Sequence, residues 1–233
     1  MNYRIAESFD ILYGNDLIPA DLNLPANQYA ADDKLWNGVV TASSFLPRVQ
    51  LFGGNSEAAK QGQIQVGRYG LVRQKDQVID LSNQFDCIPI NWRFKAMRLA
   101  NGSVYNYHNP ESPDFRQIIE ESAKPDAGCM YGVEFLIWVP SEECFATFFL
   151  NSKTARREAP NLKNLLRNAA TLKVQFIKKQ KYSWHGPVVT PCSTPITVLP
   201  TNEEIIEQNE KFIKVKDSEV EKATTTESSN RER

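Results

Sequence analysis

The sequence lacks the features that mark membrane and secreted proteins. No run of about 18 apolar residues is present, which argues against a membrane-spanning helix. The start, from Met1 to Glu7, has no apolar stretch of the kind that a signal peptide carries. We therefore expect no membrane partner and a cytoplasmic location, which would be the host cytoplasm for a viral protein.

Cysteine and histidine are scarce, and their spacing offers no clear metal site. The four cysteines are far apart, without a CxxC or CxxH pair, so we expect reduced thiols. Structural zinc sites usually take their ligands from close pairs, so we predict no metal and no other cofactor. A zinc site stays an open alternative, and its candidate ligands are Cys129, Cys144, His185 and Cys192.

Recognisable catalytic signatures are missing as well. The sequence contains no GxSxG, HExxH, Walker or kinase pattern, and its two histidines, His108 and His185, stand beside no identifiable nucleophile. We predict that the chain is not an enzyme. A nuclease that binds magnesium through scattered carboxylates stays open, and its candidate residues are Asp80, Asp86, Asp114 and Glu134.

Charge is abundant in this sequence, and it is strongly segregated. The 27 basic and 28 acidic residues almost cancel, yet residues 151–187 hold nine basic residues and one acid, Glu158. That segment carries +8, so the remainder carries −9. Such asymmetry indicates a polyanionic partner, or an acidic surface that covers a basic one. The simpler alternative is a solvated face whose lysines keep the protein in solution.

Aromatic side chains are interleaved with the cations near the end of this segment. Single-stranded nucleic acid is bound by that combination, because cations follow the phosphates and rings stack on the bases. Arg93 and Lys95 add two cations on the polar side of an earlier predicted strand. The predicted nucleic-acid-binding residues are Arg93, Lys95, Lys153, Arg156, Arg157, Lys173, Lys178, Lys179, Lys181, Tyr182, Trp184 and His185.

Hydrophobic periodicity predicts a mainly β chain with some helix. Apolar residues alternate from Ile88 to Ala96, which indicates a half-buried strand. Two β-rich runs, at 133–139 and 144–150, flank a polar turn and predict a hairpin.

Further elements follow the hairpin. A helical region is predicted from about residue 153 to 170, and Pro160 is placed in the first turn of a helix within it that carries Leu162, Leu165, Leu166 and Ala169 on one face. Residues 171–179 then form a strand and 181–186 a turn, and 187–199 form an edge strand that prolines interrupt.

The chain divides by composition into four parts. Thr201 and Glu204 form a capping box that opens an amphipathic helix, and the residues after it have no apolar face. The predicted parts are an N-terminal extension with glycine-rich loops (1–76), a nucleic-acid-binding core (77–200), an amphipathic helix (201–216) and a disordered tail (217–233).

The order of elements from residue 78 is three strands, a helix and two strands, which is the order in the five-stranded Greek-key barrel called the OB-fold. A β-sandwich or an α+β sheet has a similar order. Together with the basic and aromatic segment from Thr171 to His185, the chain resembles the OB-fold single-stranded DNA-binding proteins of phage and bacterial replication systems. The resemblance implies an OB-like barrel whose loop between the fourth and fifth strands, here residues 178–185, lines the binding groove.

The sequence therefore predicts a non-catalytic protein that binds single-stranded nucleic acid in replication or recombination. DNA is the favoured partner, RNA is the alternative, and a homo-oligomer is compatible with both. The rival is a structural or assembly protein, for example a viral component, whose basic stretch meets an acidic surface of a neighbouring subunit.

Overall fold

Strands dominate the structure, as the alternating apolar pattern predicts. The computed structural model describes residues 17–18, 46–73, 77–100, 103–124, 128–180, 182–213 and 221–222. Within those ranges the chain forms ten strands and four α-helices, so the fold is mainly β with some helix. None of the helices in this part of the chain is long and apolar enough to cross a membrane.

The elements are numbered here in chain order. The strands are β1 (Arg48–Leu51), β2 (Tyr69–Val72), β3 (Val78–Ser82), β4 (Gln84–Ala100), β5 (Ser103–Tyr107), β6 (Cys129–Val139), β7 (Cys144–Leu150), β8 (Ala170–Lys179), β9 (Tyr182–Pro191) and β10 (Glu221–Lys222). The helices are α1 (Glu57–Lys60), α2 (Pro113–Glu121), α3 (Lys153–Lys163) and α4 (Asn202–Ile213).

The chain separates into two compact units. Unit 1 comprises residues 1–93 and 133–214, and unit 2 comprises residues 94–132 and 215–233. In unit 1 the strand order is β4-β6-β7-β1-β2-β3, with β8 paired to β4 and β9 paired to β8. The pair of β1 and β7 is parallel, whereas β1–β2, β2–β3, β6–β7 and β8–β9 are antiparallel.

The hairpin of β6 and β7 confirms the prediction from the two β-rich runs. The strands pair from Val133 opposite Leu150 to Val139 opposite Cys144. A 3₁₀ turn, Pro140–Glu142, joins them, and Glu143 follows with a positive φ of 47°. The turn therefore sits at the polar residues that interrupt the apolar pattern.

Helix α4 covers part of the unit 1 core. Its Ile205 and Phe212 are buried in one cluster with Ile90, Leu136 and Trp138. The predicted capping box is confirmed, because the Glu204 N–H donates to the Thr201 hydroxyl (3.2 Å) and the Thr201 N–H donates to the Glu204 carboxylate (2.8 Å). The tail prediction for 217–233 falls outside the described residues, apart from β10.

Unit 2 is organised around the helix α2. Its N-terminus is capped by Ser112, whose hydroxyl accepts from the Phe115 N–H at 3.2 Å. Phe115 and Ile118 of this helix are buried in a cluster with Ala96 of β4. The strands of this unit are the second part of β4, the first part of β6, and β5, which pairs with both β4 and β10.

Two predicted elements in unit 1 are wrong in their bounds. Helix α3 begins at Lys153 under a Ser152 cap and ends at Lys163, so Pro160 lies in the helix interior rather than in its first turn. Residues 182–186 of the turn predicted at 181–186 are instead the first half of β9, because they pair with β8. β9 is an edge strand, as predicted, and it ends at Pro191.

Candidate nucleic-acid interface

β8 and β9 form a hairpin that extends past the point where β8 stops pairing with β4. β8 pairs with β4 only over Ala170–Lys173, and the Val174 N–H makes the next bond, to the Asn83 carbonyl (2.9 Å). β8 and β9 continue to pair with each other until Lys179 lies opposite Tyr182. We call residues 174–180 and 182–187 the hairpin arm. The predicted site residue Lys181 lies outside the described residues.

One face of the hairpin arm is turned toward helix α3. Residues directly opposite each other in an antiparallel pair share a face, so Ile177 and Trp184 lie together, as do Lys179 and Tyr182. The indole Nε1–H of Trp184 donates to the Thr154 hydroxyl of α3 at 3.1 Å. We call this the helix face, and the hydrogen bond fixes the orientation of its tryptophan.

The other face carries the intervening residues of the same two strands. Phe176 lies opposite His185, and Lys178 lies opposite Ser183. The rings of Phe176 and His185 contact each other, with centroids 5.2 Å apart. His185 also packs on the backbone of Gly67, where a Cβ would stand 2.7 Å from the imidazole Nε2. We call this the loop face, and only glycine, at a φ of +81°, permits its approach to the loop.

Three large rings of the hairpin arm are exposed. The exposed fraction is 75% for Tyr182, 58% for Phe176 and 36% for Trp184. Tyr182 and Trp184 are exposed on the helix face and Phe176 on the loop face, so each face presents an exposed aromatic ring. The strands β8 and β9 contain no acidic residue, and Lys173, Lys178 and Lys179 are all exposed. The arm therefore presents rings and cations without a compensating negative charge of its own.

Helix α3 lies along the outer edge of β9. Glu158 accepts a hydrogen bond from the Val189 N–H at 3.1 Å, and Thr154, one turn earlier, contacts Trp184. An edge strand exposes unpaired backbone groups, and Glu158 satisfies one of them here. The only acid of the basic segment is thus engaged with the β9 backbone.

The start of α3 adds cations beside the helix face of the arm. Lys153 and Arg157 are exposed and lie one helical turn apart, so they share one side of the helix. Arg156 is half-buried, and its guanidinium donates to the Asn151 carbonyl. The exposed pair therefore extends the basic surface, whereas Arg156 has a structural contact.

The base of the arm is anchored by a buried tyrosine. The Tyr69 hydroxyl of β2 donates to the Lys173 carbonyl at 3.1 Å. Its ring packs edge-on against Phe85 and Phe148, with centroids 5.0 and 6.1 Å away. Burial raises the pKa of Tyr69 above its ordinary value, so the hydroxyl stays protonated as a donor.

Two predicted cations do not join this surface. Arg93 is buried rather than exposed, because Phe212 of α4 covers it and its guanidinium pairs with the Glu134 carboxylate at 2.6 Å. Lys95 belongs to unit 2. Arg93 is therefore a core residue, and we withdraw it from the interface.

Lys163, the last residue of α3, is also engaged within the protein. Its ammonium nitrogen lies 3.2 Å from the centroid of the Trp92 ring, a cation–π contact. Partial burial lowers the pKa of Lys163. Its charge therefore serves the contact between α3 and β4.

The carboxylates considered for magnesium have other roles. Asp80 pairs with Arg68 at 2.7 Å, and Asp86 accepts from the Thr171 hydroxyl at 2.6 Å. Asp114 lies in the first turn of α2, and Glu134 pairs with Arg93.

The scattered residues considered for zinc show no cluster either. The Cys129 thiol lies 3.4 Å from the Glu121 carboxylate, and the Cys192 thiol lies 3.1 Å from the Thr194 carbonyl. Cys144 is a half-buried free thiol. Among the residues that the structure describes, no three His, Cys, Asp or Glu side chains are grouped to hold a metal ion.

The predicted site leaves out one exposed ring of the arm and one residue of α3 that contacts the arm. Phe176 shares a strand face with Leu172 and Val174, but β8 extends past its pairing with β4, and the ring is exposed on the loop face. Thr154 carries no local signal, because its importance comes from Trp184, thirty residues away. No protein-family model, curated protein or solved structure matches the chain.

Proposed function

We propose that the chain binds single-stranded nucleic acid, with DNA as the favoured partner, and that it does so without catalysing a reaction. The observation that carries the proposal is the hairpin arm, whose exposed rings stand among lysines on strands that contain no acid. The binding surface is the helix face of the arm together with the exposed side of α3.

Cations supply the part of the affinity that does not depend on base sequence. Lys153 and Arg157 of α3 and Lys173 and Lys179 of β8 are exposed, and each displaces counterions when it meets a phosphate. Lys178 and His185 belong to the same arm but lie on its loop face. The cations named here are the predicted binding residues that the proposal keeps.

Rings supply the contact with the bases. Tyr182 is the most exposed ring, and base–aromatic stacking contributes about 1–3 kcal/mol per base. Trp184 stands two residues along the same face, with its indole fixed by Thr154. Stacking tolerates every base, so this surface suits a protein that covers single strands in replication or recombination.

The proposal also includes two further predictions, the OB-like barrel and the absence of catalysis. An OB-like five-stranded barrel within residues 77–200 stays a prediction, and the binding surface does not require it, since both of its elements are defined by local pairing. The proposed absence of chemistry is supported by the ion pairs and hydrogen bonds that occupy Asp80, Asp86 and Glu134.

The test is a titration of the full chain against a fluorescent oligothymidine at low salt, followed by anisotropy. Tyr182→Ala should weaken binding by about 5- to 150-fold, the equivalent of one lost stack. Tyr182→Phe keeps the ring and should bind like the wild type. Lys211→Ala removes a lysine of α4, outside the proposed surface, and should also bind like the wild type.

Each other outcome counts against the proposal. Absence of binding at micromolar protein and low salt rejects it and favours the assembly protein, whose basic arm meets an acidic subunit surface. Degradation of the oligonucleotide in the presence of magnesium rejects the non-catalytic part.

A further inference from the structure

The two faces of the hairpin arm carry the same pair of chemical groups. The helix face presents Lys179 beside Tyr182, and the loop face presents Lys178 beside Phe176. All four side chains are exposed. The adjacent lysines alternate across the ribbon, because successive side chains of a strand point to opposite faces. Each face therefore has its own cation and its own ring.

A single flexible strand uses only one of these faces. Side chains on the two faces of a ribbon point in opposite directions, so bases stacked on Tyr182 cannot also stack on Phe176 without the strand turning around the edge of the arm. Lys153 and Arg157 are exposed on α3, the helix whose Thr154 contacts Trp184 of the helix face, so we assign this face to one strand. Phe176 and Lys178 are then left for a second strand.

Near its turn, the hairpin arm exposes side chains on both faces. From Gln175 to Lys179, β8 pairs with β9 alone among the described residues, and no acid occurs on either strand. The arm ends in a turn at Gln180, which directly follows the Lys179–Tyr182 pair and lies four residues beyond Phe176. A branched ligand whose two strands part at that end meets positive charge and a ring on each side.

We propose that the hairpin arm binds forked nucleic acid, in which two single strands leave a duplex, with one strand on each face of the arm. This inference rests on the proposed function and adds the class of substrate. The strand on the helix face makes the contacts already described, and the second strand stacks on Phe176 and contacts Lys178.

The experiment compares three labelled ligands: an oligothymidine, a blunt duplex, and a fork with that duplex and two oligothymidine arms. We expect the full chain to bind the fork about tenfold more tightly than either of the others, since the second strand adds a stack and a phosphate contact. Phe176→Ala should abolish that preference and leave the affinity for oligothymidine unchanged. Tyr182→Ala should weaken binding to both the fork and the oligothymidine.

Phe176→Leu separates stacking from packing on His185, because leucine keeps an apolar contact and removes the flat ring. It should lose the fork preference as Phe176→Ala does. Equal affinity of the wild type for fork and oligothymidine overturns this inference while the proposed function stands. Duplex bound as tightly as fork overturns it as well, and no binding to oligothymidine rejects the proposed function itself.

Discussion

Arg93 and Glu134 are charged residues whose role is set by burial. Both Nε and a terminal nitrogen of Arg93 donate to the same Glu134 oxygen, at 2.8 and 2.6 Å. Side-chain exposure is only 9% and 3%, and the guanidinium lies 4.2 Å from the centroid of the Phe212 ring. Two charges in the interior are tolerated because each neutralises the other.

The first prediction is that Glu134→Gln destabilises the fold and leaves nucleic-acid binding intact. The amide leaves the Arg93 charge buried without its counterion, and breaking a buried pair costs about 3–5 kcal/mol. Urea unfolding followed by tryptophan fluorescence measures the loss. The double variant Arg93→Met/Glu134→Leu removes both charges and should recover much of the stability. A stable Glu134→Gln protein with weakened oligothymidine binding would contradict this assignment and return Arg93 to the interface.

Sequence alone places Arg93 on the polar side of an alternating strand, which is a reasonable position for a phosphate contact. The pattern does not contain Phe212, which lies 119 residues later and covers the guanidinium. The exposed lysines of β8 were predictable for the opposite reason, since no later segment covers them among the described residues. Whether a cation is buried depends on residues far away in the sequence, and hydrophobic periodicity describes only its neighbours.

The contact between α3 and the hairpin arm depends on a glycine in β9. A Cβ at Gly186 would stand 2.8 Å from the Thr154 methyl carbon and 3.2 Å from Cδ1 of Ile177. The same threonine accepts the Trp184 indole hydrogen bond. The absence of a side chain at this position therefore lets the helix approach the ribbon closely enough to hold its tryptophan.

We predict that Gly186→Ala destabilises this contact. Overpacking of a tight contact costs about 1–3 kcal/mol, and displacement of α3 should also change the Trp184 fluorescence. Thr154→Ser removes the methyl group and keeps the hydroxyl, so the double variant should regain stability relative to Gly186→Ala. Thermal unfolding of the four proteins measures the coupling. Additive effects of the two substitutions would show that the methyl contact does not limit the approach.

Elements defined by neighbouring residues are the ones that the sequence predicts well. The β6–β7 hairpin and the Thr201 capping box each depend on residues within a few positions, and both are confirmed. The turn predicted at 181–186 is wrong because its polar residues and Gly186 are read locally, whereas pairing with β8 makes residues 182–186 part of a strand. Its error matters, since the cations and rings move from a loop to the two faces of a ribbon.

At the scale of the whole molecule, only part of the segregated charge is free to act on a ligand. Within 151–187, Lys163 lies on the Trp92 ring and Arg156 bonds to Asn151. The exposed cations of this surface are Lys153 and Arg157 on α3, Lys179 on the helix face of the arm, and Lys173, which lies on the same side of β8 just before the arm. Among the described residues, a polyanion on this surface therefore meets four of the nine cations that composition suggests.

This count predicts the salt dependence of oligothymidine binding. Each phosphate neutralised on a single strand contributes about −0.7 to the slope of log K against log salt, so four contacts give a slope near −3 and about a 50-fold loss of affinity between about 50 and 200 mM salt. Lys179→Ala should make the slope shallower by about 0.7, whereas Lys211→Ala, whose ammonium pairs with Glu207 on α4, should leave it unchanged. Titrations at four salt concentrations give each slope. A slope near zero would mean that the aromatic rings alone hold the ligand. Equal changes of slope in the two lysine variants would mean that the net charge of the protein attracts the ligand, rather than the surface formed by the arm and α3.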